Sequence, residues 1–395
     1  MKKLLPIIVG LTLTFPQASA APKPITPQLG SIYSAPTGSE FFIQSGRNSL
    51  YLQNVQQKTS DILITARDLS NSQVWQKTID SGVDEVVTAV ASDSAGNLWI
   101  AGAASTLPLT ESYTPIDGID NPDLVIVETA TAVRSDLNQI ALWKISSTGE
   151  LLSTYYSAQN SIPIINSISI ASSGISMIGE LGRKQIFITA TFTGTFSKPV
   201  IIGTTKTQLT SVLRNSDGSS YIVGNSSETL AGKKVAGVRD GIIFKVSKTG
   251  SIISLLRSSA SKAVRSWNSL ESSLLLTGPV VTGKAIETAI TKFTTSFAPT
   301  WTTRIPSVGP SVGIAGGGNY FVALSTKSQI SGISWKPTSP SMIVITFDNK
   351  GLIKAAHTLP GLVTPLSLQF TRDRGVVGMA SGSDGLVSIF TLASR

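Results

Sequence analysis

The chain has no cysteine and only one histidine, His357, among its 395 residues. Without cysteine there can be no disulfide, no thiol nucleophile and no lipid attachment through a cysteine. One histidine and no thiolate cannot assemble a zinc or non-haem iron site of ordinary composition. His357 also falls in a segment that reads as an outer strand, where it is badly placed to serve a Ser-His-Asp triad. No GxxxxGK[ST] loop occurs, and Gly316-Gly317-Gly318 precedes a strand, not a helix, so it reads as a turn. Charged residues make up only 14% of the chain, and the basic excess of +9 is scattered without a zinc-finger, helix-turn-helix or RNA-binding motif. That pattern argues against nucleic acid as a partner. The expectation is no cofactor, no metal and no catalytic residue.

Long apolar runs are also missing, since the first one stops at Phe15-Pro16-Gln17, short of the ~20 residues that a membrane span needs. Lys2 and Lys3, the apolar residues 4–15 and Ala18-Ser19-Ala20 have the layout of a cleavable signal peptide over residues 1–20. Export to the periplasm, cell surface or medium is expected, with no transmembrane segment after cleavage. Losing Lys2 and Lys3 would lower the formal charge from +9 to +7. A cysteine-free exported chain must be held by buried apolar area, which favours one large regular domain over residues 29–395 after a Pro-rich lead at 21–28.

What the sequence does have is Ser, Thr, Gly, Ile and Val in short runs: NLWIAG at 97–102, IALWKI at 140–145, YIVG at 221–224, GIIFKV at 241–246 and MIVITF at 342–347. Such runs between Gly, Asn and Asp clusters read as strands, and no segment reads as a helix. The runs recur as a four-strand unit of about fifty residues, the period of a propeller. Clear copies start at Val86, Gln208 and Ser311, and weaker ones near Phe41, Ile164, Ala263 and Thr364. The fold expected is therefore all-β, a β-propeller of about seven four-stranded blades; six or eight need only one different reading of the weaker copies. The last unit runs out after three strands, and residues 29–34 (LGSIYS) can supply its outer strand and close the ring.

The stretches DSAGNLWIAG at 93–102 and KISSTGELLSTYYS at 144–157 resemble the bacterial β-propeller repeat of SBBP type. The first stretch is also similar to the propeller repeats of two-component sensors. The resemblance implies scaffold and export, not chemistry. The unit around residues 186–202 departs furthest, lacking the Lys and the Gly turn. Asp93, Asp217 and Asp348 read as turn residues accepting backbone N–H bonds, with calcium ligation as the alternative. Gly102, Gly179, Gly224 and Gly378, at the ends of second strands, suit close backbone approach.

In a propeller, loops between second and third strands share a face with the links between blades. The excursions 103–139, 225–240, 279–286 and 325–340 all fall there, and loops on rigid scaffolds are common carriers of binding. The first excursion holds Glu111, Tyr113, Asp117, Asp120, Asp123 and Glu128, the second Lys233, Lys234 and Arg239, and the last Trp335 and Lys336. Carboxylates, ammonium groups and aromatics together suit a glycan, a cell-wall polymer or a protein. The reading is a monomeric, non-catalytic binding scaffold. A carboxylate-dependent glycan-cleaving enzyme, built on the acidic loop, is the alternative.

Overall fold

The computed structural model describes residues 24–68, 70–107 and 136–392. The segment proposed as a signal peptide and the acidic residues Glu111, Tyr113, Asp117, Asp120, Asp123 and Glu128 lie outside the described residues. The described chain is all strand and turn, arranged as seven sheets around an axis. In sequence order the blades span 41–79, 85–158, 163–204, 207–258, 264–306, 308–359 and 362–392. Within each blade, strands follow one another antiparallel from the axis outward. The second blade is the type case, with strands Glu85–Ser92, Leu98–Ala104, Gln139–Ile145 and Leu151–Ala158.

Middle strands are apolar on both sides because each is sandwiched between neighbouring blades. In Leu98–Ala104, Leu98, Ile100 and Ala104 join the core shared with the first blade, and Trp99 and Ala101 the core shared with the third. Each fully buried Leu or Ile contributes roughly 1.5–3 kcal/mol, and six such inter-blade cores, with a smaller seventh at Phe42, Tyr51, Val377, Met379 and Ile389, complete the ring. Outer strands bury one side only, so Leu152 and Ile253 remain about half exposed.

Closure follows the expected scheme with one change. Ser31–Ser34 pairs antiparallel with Val387–Leu392 as the outer strand of the last blade, and the Tyr33 and Thr391 hydroxyls bond at 2.7 Å. Gln28–Leu29 belongs instead to the sixth blade, parallel to Ile353–Leu359. Ile25 bridges to Ile333, so the N-terminal segment staples two blades. Between the last blade and the first, Arg374 donates to the Ser49 hydroxyl at 2.6 Å and to the Arg47 carbonyl at 3.2 Å.

Two expectations need correction. Residues 279–286 are no excursion: Leu275–Thr282 and Ala285–Phe293 run through them as strands, joined by a tight turn at Gly283-Lys284. Pro279 and the Gly283-Lys284 pair imitate a loop in sequence. The third blade does have the glycine turn that its sequence hides. The Thr191 hydroxyl accepts the Thr195 N–H, and Gly194 takes φ +81°, as Gly96 (φ +79°) does below Asp93.

Candidate functional site

The strand order gives the ring two faces of different character. On one, the first-to-second connections and most third-to-fourth connections are tight turns. Asp93 Oδ1 accepts the Ala95 and Asn97 N–H groups, and Oδ2 accepts Trp99 Nε1–H at 3.0 Å. Burial works to raise the Asp93 pKa, but the bonds from Asn97 and Trp99 outweigh it and hold the carboxyl below its ordinary value. Hydrogen bonds from Ser219 lower Asp217, and the Leu352 and Lys350 N–H groups lower Asp348. These carboxylates are occupied in holding turns. Among the described residues there is no group of three or more His, Asp or Glu that could hold a metal ion.

The opposite face carries the links and second-to-third loops. At its centre the innermost strands surround an axial cavity of about 370 Å³, lined in part by Glu40, Thr88, Asn166, Leu366 and Met379. Thr88, Asn166 and Leu366 reach it because each is the extra residue of a β-bulge in its inner strand. The Thr88 and Asn166 bulges bring the inner backbone against the second strand, where only a glycine fits. A Cβ at Gly102 would lie 1.8 Å from the Val86 carbonyl oxygen, and at Gly179 2.0 Å from that of Ile164. Gly224 and Gly278 have the same environment. Gly102, Gly179 and Gly224 therefore shape the axial mouth, whereas Gly378 lies closest to the Phe390 ring and Ala380 takes the corresponding place in the last blade.

Charge on this loop face is segregated. Beside the first and second blades, Glu85 and Asp61 are both buried, with Ser81 and Thr59 hydroxyls as donors. Burial, reinforced by Asp61 and Asp80, prevails over the Ser81 hydrogen bonds and raises the Glu85 pKa. From the third blade to the fifth, residues 182–184, 205–206, 227–239, 259–265 and 283–284 hold nine Lys or Arg and one carboxylate, Glu228.

The sequence-selected residues that are described do not converge. Lys233 sits toward the rim, its ammonium donating to the Leu255 carbonyl at 2.6 Å, with Lys234 exposed beside it. Arg239 lies inward, paired with Val264 of the fifth blade's innermost strand and bordering a groove of about 260 Å³ with Lys206, Gln208 and Asn225. Trp335 is half-buried against the sixth blade's core beside Ile25, which leaves Lys336 exposed at that blade's periphery. Trp335 is thus a packing residue more than an open platform. His357 occupies an outer strand, as expected, on a separate cavity of about 680 Å³ between the sixth and seventh blades.

Sequence reasoning passed over the partners of Arg239. The Arg265 N–H donates to the Arg239 carbonyl at 2.9 Å, and the Arg265 guanidinium lies 5.4 Å from the centroid of the Trp267 ring. Arg304, in the outer strand of that blade, is near enough to act on Arg265 electrostatically. Also missed was a buried pair beneath the 227–239 loop. Asp240 accepts from Arg257 at 3.3 Å and from the Ala236 and Gly237 N–H groups, and so pins the loop.

No family model matches the chain, and no curated protein matches it in sequence. Among solved structures it is similar to the WD40 domain of Pan2 from Neurospora crassa, with 8% identity over 90% of this chain and 90% of that one and a TM-score of 0.50. It is also similar to the β-propeller domain of the trilobed protease from Pyrococcus furiosus (9% identity, 93% and 97% coverage, TM-score 0.49). A third is the periplasmic gluconolactonase PpgL of Pseudomonas aeruginosa (11% identity, 85% and 84% coverage, TM-score 0.47). At such identities the likeness concerns the fold alone.

Proposed function

We propose that this chain is an exported, non-catalytic binding scaffold whose loop face takes a polypeptide, glycan or cell-wall polymer. One observation carries the reading: Ile164, Val238, Ile286, Leu366 and Leu386, all on the loop face or at the axial mouth, are between 42% and 69% exposed. None of them is needed by an inter-blade core, and apolar side chains left uncovered around a rigid mouth suit contact with a partner. The tight turns opposite satisfy their own polar groups, and the apolar side chains exposed at that end, such as Val74, Leu152, Ile253 and Leu352, sit in or beside outer strands at the rim, away from the axis. Export is supported by the signal-like N-terminus and by the repeat's resemblance to SBBP-type propellers.

The test is a screen of the chain from Ala21 against glycan arrays, wall polymers and culture proteins, with two variants alongside. Val238→Ser with Leu386→Ser alters the loop face, and Leu352→Ser, at a residue 63% exposed on the turn face, is the control. Binding that weakens about tenfold or more, some 1.4 kcal/mol, in the first variant alone supports the reading. Equal loss in the control, or no effect of the first variant, overturns it.

A further inference from the structure

We infer that the cavity between the sixth and seventh blades is a second binding site, and that it takes a small aromatic acid, with the ring against Phe321 and the anionic group at Lys354. This site is independent of the loop-face reading, because Asn319 and Lys354, at the turn-face ends of their strands, mark its mouth.

The cavity has a topological cause. At five blade boundaries the third-to-fourth turn of one blade covers the flank of the blade before it. Gly149 packs against the Trp75 ring, Gly194 against Tyr155, Gly250 against Val200 and Gly351 against Trp301, and the Phe297 ring lies 5.6 Å from that of Tyr221. The seventh blade takes its outer strand, Ser31–Ser34, from the N-terminal segment, so no such turn joins Val387–Leu392 to it. The space left uncovered is about 680 Å³, within the range of ~300–1,000 Å³ usual for small-molecule sites.

The covered boundaries show what kind of group fits there. Between the second and third blades, the Phe192 ring packs 5.8 Å from that of Trp99, and the Phe192 carbonyl accepts from the Tyr155 hydroxyl at 3.1 Å. By strand register, Phe321 is the counterpart of Trp99 and His357 that of Tyr155, and both line the cavity. A ring that carries an oxygen acceptor would repeat the contacts that Phe192 makes. The wall for that ring is already built, since Phe321 stacks on Phe370 of the seventh blade with centroids 6.0 Å apart. Ala355 leaves it room, standing where the first and fifth blades have Trp75 and Trp301.

Charge selects an acid. Lys354 is the extra residue of the bulge in Ile353–Leu359, a place held by Val74, Leu152 and Ile253 in the first, second and fourth blades. Its ammonium donates to Asn319 Oδ1 at 3.1 Å and to no other described residue, which leaves two of its three donors for a ligand. Asp348 feels the charge of Lys354 but is engaged by the Lys350 and Leu352 N–H groups, and no Asp or Glu lines the cavity. An ammonium at the mouth of an aromatic-walled cleft suits a carboxylate on an aromatic body.

The experiment measures binding of 2-naphthoate, neutral 2-naphthalenemethanol and ring-free acetate to the chain from Ala21 by isothermal titration calorimetry. Ala355→Phe fills the cavity. Lys354→Gln, at an exposed side chain, removes the charge and keeps the test valid should Ala355→Phe fail to fold. Lys198→Gln, at an exposed residue on the turn face, is the control. The expected result is naphthoate bound at least tenfold more tightly than the alcohol, and no binding of acetate. Lys354→Gln should bring the acid down to the level of the alcohol, folded Ala355→Phe should lose both, and Lys198→Gln should change nothing. No binding of naphthoate, equal loss of acid and alcohol in Lys354→Gln, full binding by folded Ala355→Phe, or equal loss in Lys198→Gln overturns the inference. A chain ending at Leu392 that binds naphthoate at least tenfold more tightly than the full one would make residues 393–395 the occupant, and overturns it as well.

Discussion

Replacing Gly224 with alanine tests how the axial mouth is built. The added Cβ would lie 1.9 Å from the Gln208 carbonyl oxygen and 3.0 Å from both the Gln208 carbonyl carbon and Leu209 Cα. All three atoms are backbone, so no side chain can rotate away. A carbon needs about 3.3 Å from a carbonyl oxygen, and the two strands must separate by over an ångström where Thr210 bulges. That movement would disturb the Trp267 N–H to Gly224 carbonyl bond at 3.2 Å and the Leu209 N–H to Gln185 Oε1 bond at 3.0 Å, which tie in the fifth and third blades. Overpacking costs about 1–3 kcal/mol and each weakened bond about 1 kcal/mol. The reduced freedom of the unfolded chain returns about 0.5–1 kcal/mol. The net is about 2–4.5 kcal/mol, which for a domain of about 365 residues lowers Tm by roughly 3–6 °C. Gly283→Ala is the comparison: it has φ +59° but nothing within 4 Å, so it carries only backbone strain, about 1 kcal/mol. Thermal melts followed by circular dichroism decide the matter. A Gly224→Ala protein no less stable than Gly283→Ala would refute the close-approach argument.

Three further perturbations probe closure and charge. A chain that starts at Ala35 loses the Ser31–Ser34 strand and bares the edge of Val387–Leu392, so it should melt earlier and self-associate with concentration in sedimentation velocity. Arg257→Ala strips the counter-ion from Asp240, a side chain with 0% exposure that keeps only the Ser259 hydroxyl and two backbone N–H donors; leaving that buried charge without its ion partner should cost about 3 kcal/mol in urea unfolding. The raised pKa of Glu85 means that its contribution to stability is complete below the ordinary carboxylate range and is lost as pH rises through the folded-state value. Glu85→Gln, whose amide oxygen still accepts from Ser81, should therefore raise Tm at about pH 8 and lose that advantage near about pH 4; the opposite sign would contradict the burial argument.

Much of the scaffold could be read in the sequence because propeller strands carry local signals. NLWIAG and GIIFKV are mostly apolar because their residues face two neighbouring blades, and Asp or Ser followed by Gly marks turns that close on themselves. Signals failed where local composition imitates something else. Gly283-Lys284 looked like part of a loop and is a tight turn, and Thr191 with Gly194 makes a turn without the usual Asp or Ser. The parallel pairing of Gln28–Leu29 with the sixth blade left no mark, because two residues of strand have no periodicity. Arg239 was singled out as a charged loop residue, but its backbone partner Arg265 sits in the next blade and meets it only through the stacking of blades. The Asp240 and Arg257 pair was hidden for the same reason, since neither residue shows from its neighbours that it will be buried.

The claim that the loop face is the working surface is tested most directly by hydroxyl-radical footprinting of the chain with and without a ligand recovered from the screen. The account expects protection at Val238, Ile286, Leu366 and Leu386, with Phe192 and Leu352 on the turn face unchanged. Protection at Phe192 and Leu352 with the loop-face residues still reactive would contradict it.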